Sequence, residues 1–307
     1  MSSPLPPLPQ AGATQPSHGP IEPRVVAAGA GATWWAEGWR TFTSQIGTWI
    51  GIVIVYVVIS LLLSRVSYIG GVAQWLLTPV FVGGIMLGCN ALDHGERLRL
   101  SHLFDGFKGA HFTSLLIVGV FNILLTAVAV VVAIIVIAAG VGLASVMNFD
   151  QLTDDPWKML GEFGLVALVL MLLALTVVAV IAMANWFAPA LIVLRDARPF
   201  EAMLLSFRAS LRNWVPFLVY GVIGIGIMVV VGCVFVVLAG VIGFGAFMAV
   251  FGESVNWSSM IFGIVALIVL YVVVAVVVTP VVFGSAYAGY RDTLAAQDPL
   301  LANPAYR

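Results

Sequence analysis

Six long stretches of this chain carry almost no charge: residues 46–63, 72–92, 113–147, 163–194, 214–251 and 260–290. A helix needs about 20 apolar residues to cross a ~30 Å hydrocarbon core. Each stretch therefore reads as one membrane span, and the chain as an all-α, six-span membrane protein. Composition agrees. Hydrophobic residues make up 62% and charged residues 9%, where a soluble domain carries roughly 25% charge. Mean hydropathy is +1.10. A soluble enzyme, a disordered chain and a coiled coil are excluded, because a soluble fold needs a polar exterior. The net charge of −1 leaves no basic excess for nucleic acid.

Charge fixes the expected topology. Arg24 and Arg40 precede the first span, and Arg97, Arg99 and Lys108 lie between the second and third. Arg195, Arg198, Arg208 and Arg212 lie between the fourth and fifth, and Arg291 and Arg307 follow the sixth. Alternate compartments thus hold 11 basic residues and 2, the 2 being Arg65 and Lys158. The positive-inside rule puts both termini in the cytoplasm. The runs 113–147 and 214–251 are over-long. At 1.5 Å per residue the second would extend about 57 Å, so it must tilt, break or continue past the bilayer. Gly240, Gly243 and Gly245 mark the expected bend.

Seven prolines within residues 4–23 predict a disordered cytoplasmic tail over 1–31, and 293–307 reads as a second short tail. No basic start followed by an apolar stretch opens the chain, so no cleaved signal peptide is expected. Cys89 and Cys233 both fall in apolar runs, away from any paired-cysteine motif.

Two loops read as amphipathic helices. Leu100, Leu103, Phe104 and Phe107 form one stripe. Phe200, Met203, Leu204 and Phe207 form another at the same spacing, continued by Leu211. Each stripe ends in an aromatic–basic pair, Phe107–Lys108 or Phe207–Arg208. Trp35, Trp39 and Phe42, with the pair Trp39–Arg40, repeat the pattern before the first span. The returning spans carry Pro79, Pro189 and Pro280 as expected kinks and exit at Asp93, Asp196 and Asp292. Gly84-x-x-x-Gly88 and Ser285-x-x-x-Gly289 read as close helix contacts. The expectation is three helix-hairpin repeats over 32–93, 100–196 and 200–292, each opened by an interfacial helix.

These features resemble a group of uncharacterised bacterial inner-membrane proteins, similar to the membrane domain associated with glycerophosphodiester phosphodiesterases. The stretches that carry the likeness are Trp34–Trp49, Thr78–Phe107, Asn185–Trp214 and the Pro280–Asp292 exit. The resemblance implies a bacterial inner-membrane location and a six-helix architecture. It implies no catalytic residue.

No span has a charge at its middle, which argues against a proton pump, a proton-coupled carrier or a voltage sensor. The deepest polar groups are Asn122 and Asn185, each nine residues from the cytoplasmic edge, or about 14 Å. They are expected to share a hydrogen bond as packing glue, or to line a path that Thr126 extends. His94, His102 and His111 share a loop with Glu96 and Asp105, at spacings that match no metal motif. They read as solvated polar positions. Asp150, Asp154, Asp155 and Glu162 make an acidic outer loop without a calcium-loop pattern. No metal and no cofactor are expected. The strongest signal is basic residues flanking apolar stripes: Arg97, Arg99 and Lys108, then Arg198, Arg208 and Arg212. Such helices lie at headgroup level and attract anionic lipid. The expectation is a non-enzymatic protein that engages membrane lipid or a membrane-protein partner. The alternative is a small-molecule or lipid transporter with a path between the repeats.

Overall fold

The computed structural model describes residues 22–146, 156–251 and 257–295. Among these residues every regular element is a helix, and six are long and apolar enough to cross a membrane. Helix α1 (Ala30–Ser44) leads into α2 (Ile46–Ser64), and α3 (Ser67–Asp93) returns. A 3₁₀ helix (Leu100–Phe107) opens the second unit. There α4 (His111–Val146) goes out, and α5 (Pro156–Trp186) returns, followed by a short α6 (Ala188–Arg195). The third unit is α7 (Pro199–Arg212), α8 (Trp214–Phe251) and α9 (Trp257–Tyr290). A π-helical turn, Arg291–Ala295, ends the described chain.

The three units close into a ring. The segment that opens each unit packs on the returning helix of the unit before it. The 3₁₀ helix covers α3, α7 covers α5, and α1 covers α9. Gly106 of the 3₁₀ helix lies so close to α3 that a Cβ would overlap the Val80 carbonyl oxygen and stand 3.1 Å from the Gly84 nitrogen. Gly38 of α1 meets the Val281 carbonyl oxygen and the Ser285 nitrogen of α9 in the same way. At the third junction Ser206 of α7 meets the Met183 carbonyl oxygen and the Phe187 nitrogen. Each of Gly38, Gly106 and Ser206 sits just before its aromatic–basic pair. Each faces a carbonyl and the N–H four residues on, the two partners of one helical hydrogen bond.

The core lies at the end of the bundle that carries these segments. It contains Trp34, Phe42, Trp49, Phe81, Met86, Leu103, Phe187 and Tyr290. Toward the opposite end the spans expose apolar surface, as at Val128, Leu175, Val236 and Phe262. Such surface suits lipid, which is as apolar as leucine.

Several sequence expectations change. The 100–107 segment winds as 3₁₀, and at three residues per turn it does not hold a 3.6-period stripe on one face. Leu103 is fully buried, while Leu100 and Phe104 are exposed. Pro79 and Pro280 lie inside continuous helices, but Pro189 opens α6 after a break at Phe187. The junction contacts match Met183 with Val80, so Pro189 falls seven residues beyond the position matching Pro79. Helix α8 runs unbroken through Gly240, Gly243 and Gly245. The acidic loop Asp150, Asp154 and Asp155 lies outside the described residues, as does the side chain of Glu162.

The stretch read as an N-terminal tail is tied down from residue 22. Helix α1 starts at Ala30, and Asn213 holds the chain before it. The Val26 N–H donates to Asn213 Oδ1 at 2.9 Å, and Asn213 Nδ2 donates to the Arg24 carbonyl at 2.9 Å. The Arg24 N–H donates to the Thr293 carbonyl at 2.8 Å. Thr293, Leu294 and Ala295, read as the start of the C-terminal tail, are buried. Both ends of the described chain therefore meet on one side of the bundle. Asn213→Ala should release residues 22–29 while leaving the spans in place, since a buried amide's partners lose about 1–3 kcal/mol when it is removed. Limited trypsin digestion reads this directly: cleavage after Arg24 should become several-fold faster. An unchanged rate would refute the anchor.

Candidate membrane-interface site

All six basic side chains singled out by sequence are surface residues around this end of the bundle. Arg97, Arg99, Arg198 and Arg208 are exposed. Lys108 pairs with Asp105 at 2.6 Å, and Arg212 donates to the Pro23 carbonyl at 3.1 Å.

Helix α7 shows how the chain builds this surface. Pro199 opens it, and Arg212 lies in its last turn, where a cation complements the helix dipole. Its inward face is small and polar: Ala202, Ser206, Ala209 and Ser210 are all buried, with Met203 beside them. Of its apolar stripe, Phe200, Leu204 and Leu211 point out, Phe207 is half-buried and Met203 is buried. Phe200 is 67% exposed, Leu211 52% and the following Trp214 58%. A soluble helix buries its apolar stripe; this one presents most of it beside Arg208 and Arg212. Trp39, Leu100 and Phe104 extend the same exposed apolar surface on the other two segments.

A polar network joins the first and third units here. Arg291 of the π turn donates to Asp93 Oδ1 at 2.7 Å, and its other terminal nitrogen stands 3.9 Å from Glu37 of α1. Tyr287 donates to Asn90 Oδ1 at 3.0 Å, with Asp93 Oδ2 at 3.3 Å. Glu37 also pairs with Arg40. Glu37, Arg40, Asp93, Tyr287 and Arg291 line a cleft of about 180 Å³ between α1, α3 and α9. They are partly solvated, so each pair contributes at most about 1 kcal/mol. The three exit aspartates have diverged in use. Asp93 holds Arg291. Asp292 accepts from Trp34 Nε1 at 3.0 Å. Asp196 caps α6 in a left-handed conformation, 3.6 Å from His111.

Deeper in the bundle, Asn122 and Asn185 do not share the expected hydrogen bond. Asn185 Nδ2 donates to Ile181 of its own helix at 2.8 Å, and both Oδ1 atoms are buried without a partner. The break beside Asn185 has a specific cause. The Phe187 N–H donates to Ser206 Oγ at 2.9 Å, and that hydroxyl donates to the Met183 carbonyl at 2.7 Å. A serine from α7 thus stands between the two halves of a helical hydrogen bond. Sequence reasoning passed over Ser206. Its position just before Phe207–Arg208, matching Gly38 and Gly106, was the available signal. Tyr56 and Gln74, hydrogen-bonded at 3.1 Å between α2 and α3, were also missed.

Among the described residues no group of three His, Cys, Asp or Glu side chains could hold a metal ion. A curated protein of Burkholderia thailandensis, described as a probable inner membrane protein, is 28% identical over 280 residues. The match covers 89% of this chain and 94% of that one. This is a multi-pass inner-membrane protein. No family model matches the chain and no solved structure matches it, so the likeness to the phosphodiesterase-associated domain rests on the stretches quoted above.

Proposed function

We propose that this protein is a non-enzymatic inner-membrane protein whose ring of interfacial segments engages anionic lipid at the cytoplasmic headgroup layer. The observation that carries the reading is the inverted packing of α7. Its small polar face is buried in the bundle, and Phe200, Leu204 and Leu211 of its apolar stripe face outward between Arg198, Arg208 and Arg212. Outward apolar side chains flanked by arginine suit the acyl–headgroup boundary. The excess of basic residues on the terminal-bearing side supports a cytoplasmic placement.

Each basic side chain near an anionic surface adds about 1 kcal/mol, or about fivefold in affinity. Arg208→Gln with Arg212→Gln should therefore weaken phosphatidylglycerol retention roughly twentyfold in nanodiscs of mixed phosphatidylglycerol and phosphatidylcholine, leaving phosphatidylcholine contacts unchanged. Equal retention by the variant and the parent would sink the reading.

A second reading, transport along a path between the repeats, is favoured by one observation. The Oδ1 atoms of Asn122 and Asn185 are buried and unpartnered beside a broken helix. Under it, Asn122→Leu and Asn185→Leu would fold and lose flux. Under the lipid reading they would change stability alone.

A further inference from the structure

A second cleft at this end of the bundle, about 540 Å³ in volume, lies between the last two turns of α3, the loop after it, the 3₁₀ helix and the start of α4. The lipid reading above makes no use of it. Its wall on α3 is Leu87, Asn90, Ala91 and His94, spaced as one helix face. Gly95 and Gly109 take positive φ, +77° and +64°, conformations that suit glycine. They turn the two loops so that Glu96 and Lys108 both reach the cleft.

The chemistry of the two walls differs. His94 Nδ1 lies 2.8 Å from the Asn90 carbonyl. A carbonyl only accepts, so in the neutral ring Nδ1 carries the proton and Nε2 is an acceptor. Glu96 beside it makes no ion pair among the described residues. That wall offers acceptors. On the 3₁₀ helix the assignment reverses. The Arg99 N–H donates to His102 Nδ1 at 3.1 Å, which puts the neutral ring's proton on Nε2. That N–H stands 3.9 Å from Asp105, too far for a hydrogen bond, so it is unspent. Asp105 does take one of the three Lys108 donors at 2.6 Å, and two remain. This wall offers an N–H and an ammonium, with the Asp105 carboxylate between them and His111 at its edge.

We propose that this cleft binds a phosphate ester bearing a nearby primary ammonium, a phosphoethanolamine-type group. His102 Nε2–H and Lys108 take the phosphate, and Glu96 and His94 Nε2 accept from the ammonium. The phosphate is held by charge-assisted hydrogen bonds. The ammonium site requires N–H donors, so a quaternary choline is refused. The group can belong to phosphatidylethanolamine or to a soluble phosphoethanolamine ester. Where a lipid is the source, the inference rests on the lipid reading above.

The test uses the full chain in nanodiscs of phosphatidylethanolamine or phosphatidylcholine, with retained lipid counted by native mass spectrometry. Wild type should hold one ethanolamine lipid per chain about tenfold more tightly than the choline lipid. That ratio matches one charge-assisted contact of ~1.4 kcal/mol. Glu96→Gln should reduce the preference to about twofold. Lys108→Gln should weaken both lipids alike. Soluble phosphoethanolamine tested on detergent-purified, lipid-depleted protein by thermal shift distinguishes the sources. A shift without lipid retention names the soluble ester, and retention with competition names the lipid. Equal holding of the two lipids with no phosphoethanolamine shift overturns the proposal. So does a Glu96→Gln variant that keeps the wild-type preference, or inorganic phosphate binding as well as phosphoethanolamine. Arg208→Gln with Arg212→Gln, scored on phosphatidylglycerol, fails or succeeds independently and so reports on the broader lipid reading alone.

Discussion

Gly38→Ala should unseat α1 from α9 and lower stability by about 2–3 kcal/mol. Alanine is ordinarily the better helix former by about 1 kcal/mol, so an exposed site would gain. Here the added Cβ would overlap the Val281 carbonyl oxygen and stand 2.9 Å from the Ser285 nitrogen. Both obstacles are backbone, so no rotamer change relieves them, and overpacking of this kind typically costs about 1–3 kcal/mol or more. Helix α1 also buries Trp34, whose indole reaches Asp292, and Phe42. Displacing it disturbs both contacts. The control is Gly47→Ala in α2, where a Cβ would meet nothing within 4 Å. Thermal unfolding in detergent, followed by tryptophan fluorescence, should show Gly38→Ala melting well below the parent and Gly47→Ala at or above it. Coincident curves for the two variants would mean that α1 does not close the ring against α9.

Ser206 should invert the usual ranking of glycine and alanine. At a helix-interior position glycine is worse than alanine by about 1 kcal/mol. At residue 206 a Cβ is what stands between Met183 and Phe187. The matching residues Gly38 and Gly106 lie against helices whose hydrogen bonds run on. Ser206→Ala keeps the Cβ and removes the hydroxyl, which strands the Phe187 N–H in a buried place and leaves the Met183 carbonyl only the longer contact from the Ser210 hydroxyl at 3.4 Å. That costs about 1–3 kcal/mol. Ser206→Gly removes the obstacle and lets the direct bond form, making α5 and α6 more continuous. The glycine variant should therefore be the more stable of the two. Hydrogen exchange at the Phe187 amide should be slow in the parent and the glycine variant and fast in the alanine variant. If alanine proves the more stable and protects Phe187 equally, the hydroxyl bridge has no structural role.

Much of this arrangement could be read from residues alone. Lipid leaves few options for a chain with six uncharged runs, so the number of spans and their helical nature follow from composition and length. The interfacial segments were visible because Trp39–Arg40, Phe107–Lys108 and Phe207–Arg208 recur at matched places. What periodicity could not show was which way a stripe faces. In a soluble protein the apolar stripe of α7 would point inward, and here Ser206, Ala209 and Ser210 do so, with Met203 the one stripe residue buried beside them. The proline match misled because Pro189 and Pro79 look alike in one dimension, whereas registration is set by small residues at helix crossings. Asn122 and Asn185 each stand nine residues from the expected cytoplasmic edge, but depth does not fix orientation, and Asn185 turns to its own helix. The spacing of His94, His102 and His111 matches no metal motif and says nothing about the cleft they line. Their cleft is assembled by two positive-φ glycines and a 3₁₀ helix, features that appear only when the chain is folded.

Native mass spectrometry of the full chain, extracted directly from its own membrane into nanodiscs, tests the central claim most directly. The account predicts phospholipid, anionic lipid included, retained at a fixed ratio per chain, with the anionic part lost on Arg208→Gln with Arg212→Gln. A chain that emerges bare, or holds the same lipid whether or not those arginines are present, would contradict it.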